Sequence, residues 1–173
     1  EKNLKEIGWE DAKSYGINPN DLLEKYIFEN VFFDQVEKIN RDALKNFKEN
    51  EINEIKQDLA KKLSLADERE ILNFLIYGVD LSLKDLRSVN IRLIDYENLT
   101  SNKFLFAAQA KFPGSPENTK PDYTLFVNGI PLAIIEAKRT TEIDSHKEAL
   151  NQISRYTVES PDLFRFVQLG IAY

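Results

Sequence analysis

The sequence contains no cysteine and a single histidine. The first absence excludes disulfides, thiol nucleophiles and cysteine-ligated zinc. The second excludes any histidine-rich metal site. Long apolar runs are also missing: none approaches the ~18 residues a membrane-spanning helix needs. No basic segment followed by an apolar stretch opens the chain, so no secretory signal is expected and a soluble, cytoplasmic protein without membrane association is. Positive charge is in short supply, 23 Lys and Arg against 29 Asp and Glu, for a net charge of −6. That balance argues against nucleic acid, because phosphate contacts need cations. Its distribution weakens the argument. Residues 1–100 carry 15 basic and 21 acidic side chains, whereas residues 101–173 carry 8 of each. The whole acidic excess lies in the first hundred residues.

What remains is a chain of 173 residues that is 42% hydrophobic and 30% charged, enough apolar material for a core at the length of one domain with an insertion. No fixed-period repeat is present. The apolar period changes near residue 90. Asn18-Pro19-Asn20-Asp21 reads as a helix start, followed by Leu22, Leu23, Tyr26 and Ile27 at helical spacing. Phe32, Phe33, Val36, Ile39, Ala43, Leu44 and Phe47 continue the rhythm, with Phe28, Phe32 and Phe33 as helix-packing core. Ile52, Ile55, Leu59 and Leu63 form a second stripe. Asp67 caps a further helix that ends at Gly78. Strands are expected at Ile91–Tyr96, Phe104–Ala110, Asp122–Val127, Leu132–Lys138 and Phe164–Ala172. Lys111 to Lys120 is a loop, and Ser145-His146-Lys147-Glu148 has the form of a capping box for a helix reaching about Thr157. The expected architecture is a mixed α/β (α+β) fold: a mixed sheet flanked by helices in residues 89–173, with a large, mostly helical insertion over residues 15–88.

Asp122, Glu136 and Lys138 carry the chemistry. Residues i and i+2 of a strand share a face, so Glu136 and Lys138 project together from an otherwise apolar strand, Leu132–Ala137. Apolar residues on both faces place that strand inside a sheet. A carboxylate there is costly unless paired or coordinated. The hairpin register decides whether Asp122 joins it. A two-residue Asn128-Gly129 turn pairs Val127 with Ile130 and sets Asp122 against Ile135, on the wrong face. A three-residue Asn128-Gly129-Ile130 loop sets Asp122 opposite Glu136, with Pro131 beside the loop where no ladder donor is needed. The second register is expected. Two adjacent carboxylates repel unless a cation lies between them. Oxygen ligands without His or Cys suit Mg²⁺, held by Asp122, Glu136 and the backbone carbonyl of Ala137. Lys138 is placed to hold an attacking water or stabilise phosphate charge. These parts suit phosphodiester hydrolysis, although a D…ExK pattern also arises at a solvated strand end with a surface ion pair. On the following helix, Gln152 and Tyr156 are four apart and share a face with Ala149 and Ile153. They either reach toward the sheet end and DNA or form half-buried core with a solvated neighbour.

The stretches PDYTLFVNGIPLAIIEAK, ALNQISRY and SPDLFRF, with the preceding VNIRLIDYENLTSNKFLFAAQAKF, closely resemble the nuclease domain of type I restriction enzyme R subunits, the HsdR family. The match covers residues 89–173, with D…ExK and QxxxY motifs in order around the VNGIPL hairpin. The resemblance implies a restriction-endonuclease-like (PD-(D/E)xK) core and Mg²⁺-dependent cleavage of double-stranded DNA, a type I site-specific deoxyribonuclease activity. It assigns Asp122 and Glu136 to the metal, Lys138 to catalysis, and Gln152 and Tyr156 to DNA contact or coupling. Methyltransferase and specificity subunits would be the partners. Family members carry a further acid on a helix ahead of a Gly-aromatic pair; Gly8-Trp9 resembles that pair and places the acid upstream of Glu1. R subunits continue into an ATP-driven translocase, whereas no GxxxxGK[ST] phosphate loop is found here, so a piece of a longer chain is expected and ATP belongs to the absent motor. Two other readings stand beside this one: a non-catalytic module that retains the fold to dock DNA or subunits, and a repair exonuclease of the same fold. Trp9 reads as a core anchor and His146 as an exposed helix-start residue. Lys111, Lys120, Arg139, Lys147 and Arg155 flank the site as solvated charges or phosphate contacts.

Overall fold

A computed structural model describes residues 1–18, 22, 26–83, 87–138 and 145–173, with the backbone alone at Ser145. In chain order the elements are α1 (Lys2–Glu6), β1 (Glu10–Asp11), α2 (Glu29–Ile39), α3 (Arg41–Leu44), α4 (Glu49–Leu65), α5 (Glu68–Tyr77), β2 (Val79–Ser82) and β3 (Ser88–Ile91). Then follow β4 (Phe104–Ala108), β5 (Tyr123–Val127), β6 (Ile130–Glu136), α6 (Ser145–Glu159), α7 (Pro161–Phe164) and β7 (Leu169–Ala172). Chain contacts divide these into two units, Glu29–Lys103 on the one hand and Glu1–Phe28 with Phe104–Tyr173 on the other. Among the described residues no helix is long and apolar enough to cross a membrane. The helix start expected at Pro19-Asn20-Asp21, Leu23, Arg139 and the Ser145 hydroxyl lie outside the described residues.

The Glu29–Lys103 unit is helical with one hairpin. Each helix buries one stripe: Phe32, Val36 and Ile39 of α2, Ile55, Leu59 and Leu63 of α4, Ile71 and Leu75 of α5. Asp67 caps α5 as its sequence indicates, accepting from the Glu70 N–H at 2.8 Å while Glu70 accepts from the Asp67 N–H at 3.0 Å. The strand expected over Ile91–Tyr96 is shifted: β3 ends at Ile91 and pairs antiparallel with β2. The chain after it is irregular because side chains take the backbone bonds. Asn40 accepts from the Arg92 N–H and donates to the Arg92 carbonyl, at 2.9 and 2.8 Å. Asn102 does the same for Asp95, both bonds 2.8 Å. Residues 89–103 group with the helices in the unit Glu29–Lys103.

The other unit is a five-stranded mixed sheet in the order β1-β4-β5-β6-β7, antiparallel at its centre and parallel at both edges. On one face Phe106, Leu125 and Ala133 are buried beneath Leu4 of α1 and Trp9, with Tyr123 and Ile135 alongside. Trp9 sets its ring edge-on to Phe104 at 5.3 Å, a packing role. Phe28 packs against a strand. Its ring meets Phe126 at 4.3 Å and its N–H donates to the Gly129 carbonyl, on the sheet. The parallel crossover β6–α6–β7 lays α6 against β7. Gly170 permits the approach, since a Cβ there would stand 2.9 Å from Ile153 Cγ2. The final strand is shorter than Phe164–Ala172: Pro161 opens the one-turn helix α7 at its first position, where its missing N–H costs nothing, and β7 begins only at Leu169. Likewise β4 stops at Ala108, because Gln109 turns to φ 52°.

The hairpin register reaches the expected pairing by a different route. The turn has two residues, not three: Asn128 and Gly129 both have positive φ (52° and 84°), and Val127 pairs with Ile130. A bulge then shifts the ladder, with Phe126 opposite Pro131 but Leu125 opposite Ala133. Leu132 is the extra residue. Pro131 cannot donate to the ladder, and the Leu132 carbonyl accepts instead from the Gln168 N–H at 2.9 Å. Beyond the bulge Tyr123 faces Ile135, so the next residues to meet are Asp122 and Glu136. Because left-handed backbone favours glycine, Gly129→Ala should lower unfolding stability by about 1–2 kcal/mol in urea titration. An unchanged midpoint would mean the turn is not held as described.

Candidate active site

Where the β5–β6 ladder ends, two side chains continue it. The Asp122 N–H donates to Glu136 Oε1 at 3.2 Å, and the Ala137 N–H donates to Asp122 Oδ2 at 2.9 Å. Each carboxylate thus accepts a backbone proton from the other strand, which fixes both chains without a backbone carbonyl. The far side is held by the edge strand: the Tyr173 N–H donates to the Glu136 carbonyl and the Lys138 N–H to the Tyr173 carbonyl, both at 2.8 Å. Lys138 lies two residues past β6, yet this pairing keeps it extended and on the same face as Glu136.

Glu136 is fully buried, and its Oε2 has no hydrogen-bond partner in the protein. Burial pushes its carboxyl pKa up, and the neighbouring Asp122 charge adds to the rise. The Asp122 N–H, the Tyr156 hydroxyl and Lys138 oppose it. The Lys138 ammonium stands 3.9 Å from that oxygen, near enough for charge attraction but beyond hydrogen-bond reach. Its hydrogen bond goes to Gln152 Oε1 at 2.6 Å. Gln152 Nε2 in turn donates to the Tyr156 hydroxyl at 2.6 Å, and that hydroxyl donates to the Lys120 carbonyl at 3.1 Å. Tyr156 is 3% exposed, and burial pushes its pKa up, so it stays a neutral donor. Spacing alone left the outward reach of these two residues open; the structure brings both to Lys138 and the peptide preceding Asp122.

A concavity of about 410 Å³ at this sheet end is lined by Glu1, Ala108, Gln109, Asp122, Tyr123 and Ala137. Two of these were not legible. Glu1 is the N-cap of α1, the helix before Gly8-Trp9, whereas the resemblance leads to the expectation of a further acid upstream of it. Gln109 lay within an expected strand, and nothing in its residue type signals the left-handed backbone it adopts; its N–H donates to the Asp122 carbonyl at 3.0 Å. Lys111, Lys120, His146, Lys147 and Arg155 are exposed. Among the described residues no group of three or more His, Cys, Asp or Glu is arranged to hold a metal ion, so a cation here would rest on two carboxylates and backbone or solvent oxygen.

The family model for the N terminus of type I restriction enzyme R proteins matches residues 1–173. The chain belongs to that family. It is 36% identical, over its whole length, to the MjaVIIIP endonuclease subunit of Methanocaldococcus jannaschii, named as a type I restriction enzyme, and spans 17% of that protein. Identity rises to 50% over 102 residues, 59% of the chain, in the MjaVIIP endonuclease subunit of the same organism, where the match covers 10% of the protein. The EcoprrI endonuclease subunit of Escherichia coli is 38% identical over 55% of the chain and 31% of its own length. The chain spans less than a third of the length of each of these relatives. Its mixed sheet flanked by helices accords with a restriction-endonuclease-like fold.

A carboxyl whose folded pKa lies above its unfolded value costs stability once ionised. The cost is absent below the ordinary carboxylate range and grows as pH rises through it. Glu136→Gln should therefore melt at a higher temperature than the parent near neutral pH in metal-free buffer, with the two curves converging below about pH 4. Equal melting temperatures across that span would contradict the burial described for Glu136.

Proposed function

We propose that this chain forms the Mg²⁺-dependent nuclease centre of a type I restriction endonuclease subunit and hydrolyses phosphodiester bonds of double-stranded DNA. The observation that carries this reading is the buried Glu136 carboxylate, cross-tied to Asp122 through Oε1 and without a hydrogen-bond partner at Oε2. A buried carboxylate oxygen left unpaired is costly, and a divalent cation shared with Asp122 would satisfy it. Asp122, Glu136 and the Ala137 carbonyl would be its protein ligands. When bound, Mg²⁺ supplies a lowered pKa to coordinated water and neutralises charge on the phosphoryl oxygen. The chain's own contribution is placement. The Asp122 and Glu136 carboxylates are oriented by backbone N–H groups, so little reorganisation accompanies reaction. Lys138, held by Gln152, directs a positive charge to the place where phosphate charge develops or where a water is deprotonated.

Residues 1–173 would act as one endonuclease domain whose helical unit is an insertion. ATP-driven translocation would belong to the remainder of the subunit, and methylation and sequence specificity to partner subunits in the cytoplasm. The neutral balance of residues 101–173 fits weak duplex affinity for the isolated chain, with most phosphate binding supplied elsewhere in the assembly.

In the complete subunit, Asp122→Ala, Glu136→Ala and Lys138→Ala should each lower duplex cleavage by on the order of 100-fold or more while ATP hydrolysis continues. Calorimetric titration of Mg²⁺ or Mn²⁺ into the isolated chain should show binding that Asp122→Ala removes. Undiminished cutting by all three variants would refute the nuclease reading. Loss of metal binding without any effect on cleavage would favour a docking module that keeps the fold alone.

A further inference from the structure

The hydrogen bonds around Lys138 close into a ring. From Glu136 the path crosses to the Asp122 N–H, returns from the Asp122 carboxylate to the Ala137 N–H and continues along the chain to Lys138. It then passes through Gln152 and Tyr156 on α6 to the Lys120 carbonyl. Lys120 is joined to Pro121 and then to Asp122, where the ring began. Pro121 has a fixed φ, so holding the Lys120 carbonyl restricts the backbone that delivers the Asp122 N–H to Glu136.

The donor directions agree at every step. Lysine has only protons to give; Gln152 accepts them on its oxygen and donates from its nitrogen; the Tyr156 hydroxyl accepts once and donates once. The i, i+4 spacing of Gln152 and Tyr156 lets one helix face span the distance from Lys138 to Lys120. Tyr156 is buried and its hydroxyl faces the Lys120 carbonyl and the Glu136 carboxylate, which leaves it poorly placed to meet a nucleic acid. Gln152, half-buried, has its oxygen on Lys138 and one N–H on Tyr156.

We propose that Gln152 and Tyr156 are positioning residues of this centre rather than DNA contacts: Gln152 fixes the Lys138 ammonium, and Tyr156 fixes the peptide that presents Asp122. The inference rests on the nuclease reading and deepens it. A lysine side chain left to itself samples many rotamers, and its charge is useful only when directed at the reacting phosphate. One carboxamide oxygen at 2.6 Å removes that freedom.

Two measurements test it. In ¹⁵N spectra of the isolated chain, the Lys138 ammonium resonance, assigned through Lys138→Arg, should be ordered. It should broaden or vanish in Gln152→Ala and return in Gln152→Glu, which restores the acceptor. In the complete subunit, Gln152→Ala and Tyr156→Phe should lower the single-turnover cleavage rate at saturating enzyme by about 10- to 100-fold. Affinity for a fluorescein-labelled duplex in Ca²⁺ should stay within about twofold, since neither side chain is assigned a phosphate contact. An equally ordered Lys138 resonance in Gln152→Ala overturns the proposal. So does a loss of duplex affinity with an unchanged rate at saturation. If Asp122→Ala cleaves normally, the nuclease reading itself fails; if Asp122→Ala is inactive while Gln152→Ala and Tyr156→Phe match the parent, only the positioning role falls.

Discussion

Everything around the site depends on keeping one carboxylate out of water. Glu136 ends the interior strand β6 with no exposed surface, a place where an ionised group is destabilising unless something compensates. The compensation inside the protein is partial. One oxygen receives the Asp122 N–H; the other has no hydrogen-bond partner within the protein, with the Lys138 ammonium just outside bonding distance and the Tyr156 hydroxyl near the carboxylate. Raised pKa, neighbouring Asp122 and unsatisfied oxygen are three aspects of the same fact. A fold selected for stability alone would place an apolar residue there, so the arrangement points to a ligand that the protein itself does not provide.

Much of this was legible in the sequence because strand geometry is simple. Alternation put Glu136 and Lys138 on one face, and an apolar run placed them inside a sheet. The pairing of Asp122 with Glu136 was reached by an incorrect turn. The loop was expected to supply one extra residue, whereas the Asn128-Gly129 turn is of minimal length and Leu132 supplies it within the strand. Pro131 was the available clue, as a residue that cannot donate in a ladder often borders a bulge. Helical elements with explicit caps, such as Asp67 to Gly78, matched in type and bounds. The errors fell where side chains replace the backbone ladder: Asn40 and Asn102 occupy the hydrogen-bonding groups of Arg92 and Asp95, so an apolar run that alternates like a strand is not one. Periodicity registers burial, and it does not register which partner takes the N–H.

The acidic excess that first argued against nucleic acid is shared between the two units: Glu29–Lys103 carries 15 acidic and 12 basic side chains, and residues 1–28 with 104–173 carry 14 and 11. The unit Glu29–Lys103 holds helices whose outer faces are studded with Glu and Lys, whereas the sheet unit holds the candidate centre. A centre whose positive charge comes from one oriented lysine, joined under the proposed reading by a cation, would not require a basic surface of its own.

The bulge at Leu132 has a mechanical consequence. The freed Leu132 carbonyl is where Gln168 attaches, immediately before β7 begins, and the far end of β7 clamps Glu136 and Lys138 through Tyr173. A single inserted residue therefore sets two alignments at once: the phase of β5 against β6, and the docking point of the edge strand. Neither can drift alone. A slip that moved Asp122 away from Glu136 would also detach β7 from the segment it braces, so the hairpin and the edge strand behave as one coupled gauge for the spacing of the acids.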